Sequence, residues 1–107
     1  MGCDMKETDF EMIICITNAG FSGEIMELAR LKGAMGGTVI HARGTARQEA
    51  ERTFQISINP EKDLLIIAVK SEIKDAVLKE IYEKAGLNTD ANSVAFSLPI
   101  TNSVGIK

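Results

Sequence analysis

From Gly36 to Gln48 the chain reads Gly-Gly-Thr-Val-Ile-His-Ala-Arg-Gly-Thr-Ala-Arg-Gln, so glycines, a hydroxyl, a guanidinium and an amide follow one another closely. Backbone N–H groups exposed beside glycines, with a forked guanidinium near them, suit the oxygens of a phosphate. Gln48 adds an amide that can meet a carboxylate, another amide or the outer shell of a metal ion. The same residues also describe two glycine turns and an exposed loop. Residue types alone leave both readings open, an anion site and a plain connection.

Other chemistry is harder to assemble. Histidine-based catalysis needs a base, a nucleophile and an orienting group. His41 is the only histidine, in a strand where alternation sets it with Val39 and Arg43, opposite Thr38, Ile40 and Ala42. It reads as a sheet residue with a satisfied ring. Cys3 and Cys15 show no CxxC spacing and no histidine cluster, which argues against a metal site, and Cys15 reads as a small buried hydrophobe. Carboxylates are spread over helix faces and loops rather than paired for acid–base work. RNA recognition would need aromatics for base stacking, yet they make up only 5% of the chain, and Phe10, Phe54 and Phe96 are expected in the core. A small phosphatase would want an Arg-bearing loop after the first strand, where Asn18-Ala19-Gly20-Phe21 has none.

These residues must be held by the elements around them. Met1 to Asp9 is polar and aperiodic and reads as a flexible leader. Phe10 to Thr17, rich in β-branched residues and closed by Asn18-Ala19-Gly20, predicts a buried strand. Ser22 is placed to cap a helix, with Phe21 and Met26 as a staple, Ile25, Leu28 and Ala29 on its apolar face, and Lys32-Gly33 as its stop. Thr38 to Arg43 predicts a second strand, interrupted by Gly44-Thr45, and Ala46 to Thr53 a solvated loop. Phe54 to Ile58 alternates as a strand does, Asn59-Pro60-Glu61-Lys62 reads as a turn, and the continuously apolar Leu64 to Val69 as a central strand. Ser71 opens a second helix, with Ile73, Ala76, Val77, Ile81 and Ala85 inward and Gly86 as its end. Thr89 to Asn92 is a loop, Val94 to Leu98 a strand, and Val104-Gly105-Ile106 a short terminal strand.

The order strand, helix, strand, excursion, strand, helix, strand is a doubled βαβ. It predicts the α+β ferredoxin-like fold, an antiparallel sheet with two helices on one face, as a single domain over 10–107. The other sheet face is left partly apolar, so self-association is expected. At 107 residues, with 45% hydrophobic and 25% charged residues, the chain suits one core and is too short for a two-domain enzyme. A net charge of −3 with no basic block gives nucleic acid no foothold. No apolar run approaches bilayer length and no signal peptide is visible, so cytoplasm is the expected compartment and direct membrane insertion is not expected.

The chain resembles the PII nitrogen-regulatory signal proteins and their PII-like relatives over nearly all of Phe10 to Lys107. The resemblance rests on Gly37-Thr38-Val39 leading into Gly44-Thr45-Ala46-Arg47-Gln48, then a loop, Pro60-Glu61-Lys62, a helix, and Ala95-Phe96-Ser97-Leu98. It implies a homotrimer that binds ATP, ADP or AMP in clefts between neighbours and touches a regulated enzyme or transporter through a T-loop. In the best-known members 2-oxoglutarate also binds, through a magnesium ion held by ATP.

By that resemblance Thr38, Gly44, Arg47 and Gln48 line the nucleotide cleft, and Lys62 is the basic residue at the loop's return. The T-loop is Thr45, Ala46, Arg47, Gln48, Glu49, Ala50, Glu51, Arg52 and Thr53. Thr89, Asp90, Ala91 and Asn92 replace the family's glycine-rich, lysine-bearing B-loop, and Gly105 and Lys107 stand near where it has arginines. The T-loop is short and lacks tyrosine, since the only Tyr is Tyr82, so uridylylation of the loop is not available. The resemblance therefore implies a divergent PII-like regulator, not an enzyme, with a reduced cationic clamp. The alternatives are a ligand-free trimeric interaction module and a small nucleotide-processing enzyme of the same fold.

Overall fold

In the computed structural model, residues 9–45 and 61–105 are described, and six elements follow one another: β1 (Phe10–Asn18), α1 (Ser22–Leu31), β2 (Gly37–Arg43), β3 (Glu61–Lys70), α2 (Ser71–Ala85) and β4 (Val94–Pro99). The strands form one antiparallel sheet in the order β2-β3-β1-β4. The most apolar strands, β1 and β3, take the two central places because only there are both edges paired. This is the ferredoxin-like α+β fold that the hydrophobic pattern predicts.

One sheet face meets both helices. Ile13 and Cys15 of β1 and Leu65, Ile67 and Val69 of β3 are buried there against Ile25, Met26 and Ala29 of α1 and Val77, Ile81 and Ala85 of α2. Each large side chain so buried contributes about 1.5–3 kcal/mol. Burial pushes the Cys15 thiol up to about 11, so it stays protonated and acts as a hydrophobe, as expected. On α2 the inward face runs through Ile73, Val77, Ile81 and Ala85, while Ala76 is exposed, contrary to expectation. An i, i+4 stripe suffices to meet the sheet, and Ala76 falls on its flank.

Helix α1 departs from the local capping signal. Phe21 occupies the cap position without a side-chain bond, and Ser22 is the first helical residue. The Ser22 hydroxyl instead hydrogen bonds to the buried Asp63 carboxylate, a charged acceptor that outcompetes a neutral cap. Phe21 and Met26 both join the core. The helix ends as predicted: Gly33, at φ 109°, donates its N–H to the Arg30 carbonyl at 3.0 Å.

Three further expectations change. Glu61 and Lys62 are not in a turn but are the first residues of β3, paired with Arg43 and Ala42 across the ladder. Val104 and Gly105 form no strand; Ile106 lies outside the described residues. Phe96 is not in the core. Register places it opposite Ile14 on the helix-free face, where it is 42% exposed. The leader residues 1–8, the loop residues 46–53 and the strand expected over Phe54 to Ile58 lie outside the described residues.

The helix-free face is apolar from edge to edge. Met12, Ile14 and Ile16 of β1 pair with Leu98, Phe96 and Val94 of β4, and Leu64 and Ile66 of β3 with Ile40 and Thr38 of β2. Val94, Phe96, Leu98 and Ile40 are exposed there. Contiguous apolar surface on this scale marks an interaction face.

Candidate functional site

The expected ligand residues gather at two separate places on the subunit. The first is where β1 ends, β3 begins and the loop before β4 passes. Lys62 lies opposite Asn18 in the β1–β3 register, and its Nζ donates to Asn18 Oδ1 at 2.6 Å. The lysine stem crosses Gly44 so closely that a Cβ at position 44 would sit 3.2 Å from Lys62 Cε and 3.3 Å from Cγ. A Cβ there would press on the lysine stem, which would have to give by a few tenths of an ångström, and the fold brings Gly44 and Lys62 together.

The loop 89–92 is fastened to the same corner. Asn18 Nδ2 donates to the Asp90 carbonyl at 2.9 Å, and the Asn18 N–H to the Ala91 carbonyl at 3.0 Å. Thr17 Oγ1 also donates to the Ala91 carbonyl, at 3.1 Å, and accepts from Ser93 Oγ at 3.0 Å. Within the loop, Thr89 Oγ1 donates to the Gly86 carbonyl and accepts the Asn92 N–H. Asn92 holds a left-handed backbone at φ 48°, which asparagine tolerates well. The Ala91 side chain is buried in the core, so among these four residues it offers a ligand no side chain.

Lys62 has no carboxylate within 4 Å of its ammonium among the described residues. An amide oxygen satisfies one of its three N–H donors and cancels none of its charge. Among the described residues this corner therefore presents an ammonium without a carboxylate partner, which can receive an anion. Asn18 was not among the expected site residues; its sequence signal was that of a turn. Its partners are 44 and 72 residues away in the chain.

The second place lies toward the other end of β2. Thr38 pairs with Ile66, six residues before Gly44, which is about 20 Å along a strand. Beyond that end of β2, and without Thr38 in its lining, a pocket of about 710 Å³ opens between Gly33, Met35 and Gly36 on one side and Ala68, Val69 and Ile73 on the other. Gly37 brings β2 close to β3: a Cβ there would stand 2.8 Å from the Ile66 carbonyl oxygen. One subunit thus keeps Thr38 apart from Gly44, Lys62 and the loop 89–92. Arg47 and Gln48 lie outside the described residues, as does all of the expected T-loop beyond Thr45.

Between these places sits a histidine–carboxylate pair. Asp63, nearly fully buried at the start of β3, accepts from His41 Nδ1 at 2.9 Å and from the Gly20 N–H at 3.2 Å. The His41 hydrogen bond, followed by those of Gly20 and Ser22, holds its carboxyl below the usual range despite burial. An ionised carboxylate only accepts, which puts the proton on His41 Nδ1. The histidine is a satisfied sheet residue, on the face that alternation predicts.

No protein-family model matches the chain, and no curated protein matches its sequence. Solved structures do. A PII-like signalling protein of Thermus thermophilus superposes with a TM-score of 0.67 at 16% identity, covering 90% of each chain. Arabidopsis thaliana PII bound to citrate gives 0.63 at 19% identity, over 88% of this chain and 79% of that one. CPII, a nitrogen regulatory PII-like protein of Thiomonas intermedia bound to ADP, AMP and bicarbonate, gives 0.65 at 15% identity, over 91% and 96%. At such identities the shared property is the fold, and the fold of this chain is that of the PII and PII-like signalling proteins.

Proposed function

We propose that the chain is a divergent PII-like signalling regulator. In this reading three copies pack through their helix-free sheet faces, and an adenine nucleotide lies in the cleft between neighbours. The segment Thr45 to Thr53 contacts a regulated enzyme or transporter. The observation that carries the reading is the separation of the two half-sites. Lys62, Gly44 and the loop 89–92 can receive phosphates, Thr38 can receive the base or ribose, and they stand too far apart on one subunit to share a nucleotide. A second copy seated on the apolar face brings the Thr38 end of one subunit to the Lys62 end of the next.

The Lys62 ammonium, which has no carboxylate partner among the described residues, favours a ligand-binding regulator over a ligand-free interaction module. Two of the similar structures hold anions, citrate in one and ADP, AMP and bicarbonate in the other, which supports an anionic ligand here. The described residues contain no group of three His, Cys, Asp or Glu side chains fit for a metal. A magnesium ion accompanying ATP and 2-oxoglutarate would rest on the ligand's own oxygens, and Gln48 is the residue we assign to its outer shell. The similar solved structures are PII and PII-like proteins, which favours binding over turnover as its chemistry. Among the described residues no helix is long and apolar enough to cross a membrane.

Calorimetry with ATP, ADP and AMP, with and without magnesium and 2-oxoglutarate, tests the proposal. Modest affinity is expected, with ADP and AMP favoured relative to ATP because Asn92 and Gly105 stand where the family's clamp has cations. No heat with any adenine nucleotide at millimolar concentration would leave the interaction module as the better reading.

A further inference from the structure

Asn18 is where the lysine of β3 and the loop before β4 are joined. Its side chain accepts from Lys62 Nζ with Oδ1 and donates to the Asp90 carbonyl with Nδ2. The amide has only one sensible orientation, since the reverse would set its NH₂ against an ammonium and its oxygen against a carbonyl. We infer that Asn18 is a specificity-determining residue of this corner: it orients Lys62 toward the loop 89–92 without neutralising it, and so sets the negative charge that the corner can receive. The inference rests on the reading of this corner as the anion half of the proposed site.

Neutrality is the property that matters. Aspartate at position 18 would have nearly the same shape and could still accept from Lys62, but as a charged pair. The ammonium would keep its place and lose its attraction for an anion. Because the stem of Lys62 is confined against Gly44 and its head by Asn18, the cation is preorganised rather than recruited by the ligand. Preorganisation by a neutral amide keeps the Lys62 charge in place where Asn92 offers none.

Wild type, Asn18→Asp and Asn18→Ala are titrated with ADP, with adenosine as the uncharged probe and with pyrophosphate as the anion without a base. For Asn18→Asp the expected result is an at least tenfold loss for ADP and pyrophosphate, adenosine affinity within about twofold of wild type, and an unchanged or raised melting temperature. Asn18→Ala is expected to weaken the two anions less than Asn18→Asp does, because it frees the lysine without quenching it. Equal ADP binding by wild type and Asn18→Asp would overturn the inference. So would parallel loss of ADP and adenosine, which would mark Asn18 as merely structural. If wild type takes pyrophosphate but neither ADP nor adenosine, the nucleotide reading fails while the pyrophosphate arm still decides the role of Asn18. If wild type takes none of the three, both fall.

Discussion

Asp63 is the only charged side chain fully buried among the described residues, and its donors come from three places: His41 on β2, Gly20 in the first turn and Ser22 on α1. Its depressed pKa has a definite consequence for acid stability. A carboxylate bound more tightly in its charged form when folded contributes stability above its unfolded value near 3.9, and that contribution is lost as pH falls through the lower folded value. The melting temperature of wild type should therefore drop more steeply than that of Asp63→Asn on going from about pH 5 to pH 3, with the two curves converging at the acid end. Parallel curves in thermal scans would show that Asp63 is not linked to folding. At the ligand corner, Asn92 invites the opposite change. Asn92→Lys should tighten ATP more than AMP by restoring one charge-assisted contact, up to about tenfold and offset in part by the strain of a lysine at φ 48°. Calorimetry on both nucleotides checks the difference.

Elements were legible where their signals are local. Both helices, their glycine stops and the order of the strands follow from spacing, because a 3.6-residue stripe and a β-branched run each report on their own segment. What the pattern missed depends on partners distant in sequence. Ser22 carries the type of a cap, but Asp63 claims its hydroxyl. Glu61 and Lys62 resemble a turn after Pro60, yet cross-strand pairing with Arg43 and Ala42 draws them into β3. The family resemblance names Gly44 and Lys62 for the candidate site, whereas nothing local names Asn18, whose amide joins two elements only in the fold. The core itself makes a plain prediction. Ile81, inward on α2 and almost fully buried, should cost about 2–5 kcal/mol when replaced by alanine, measured by urea unfolding. A change below about 1 kcal/mol on that scale would mean that α2 does not seal the sheet.

For the whole molecule the deciding feature is the second sheet face. Alternation in β4 announced that Val94, Phe96 and Leu98 share a side, but a pattern cannot say whether that side meets helices or another chain; only the register with β1 does. A glutamate at position 96 would be buried without a partner in any assembly through this face. Phe96→Glu should therefore yield particles near the 11.6 kDa mass of one chain in light scattering, where the proposed wild-type assembly would give three times that value. Wild type at the single-chain mass at micromolar concentration would contradict the proposed assembly.

The distance between Thr38 and the Lys62 corner has a genetic consequence. In a closed ring of three, each cleft would borrow its Thr38 from one chain and its Lys62 from the next, so a lesion at either position disables a cleft without disabling its bearer's other contribution. Thr38→Val and Lys62→Gln chains, each defective alone, should complement one another when their subunits are allowed to exchange. Every mixed ring would then hold one cleft with both residues intact, and random assortment would restore about a quarter of all clefts. Recovery of ADP binding on mixing would reveal a shared cleft, whereas two chains that each carry a self-contained site would stay as inactive together as apart.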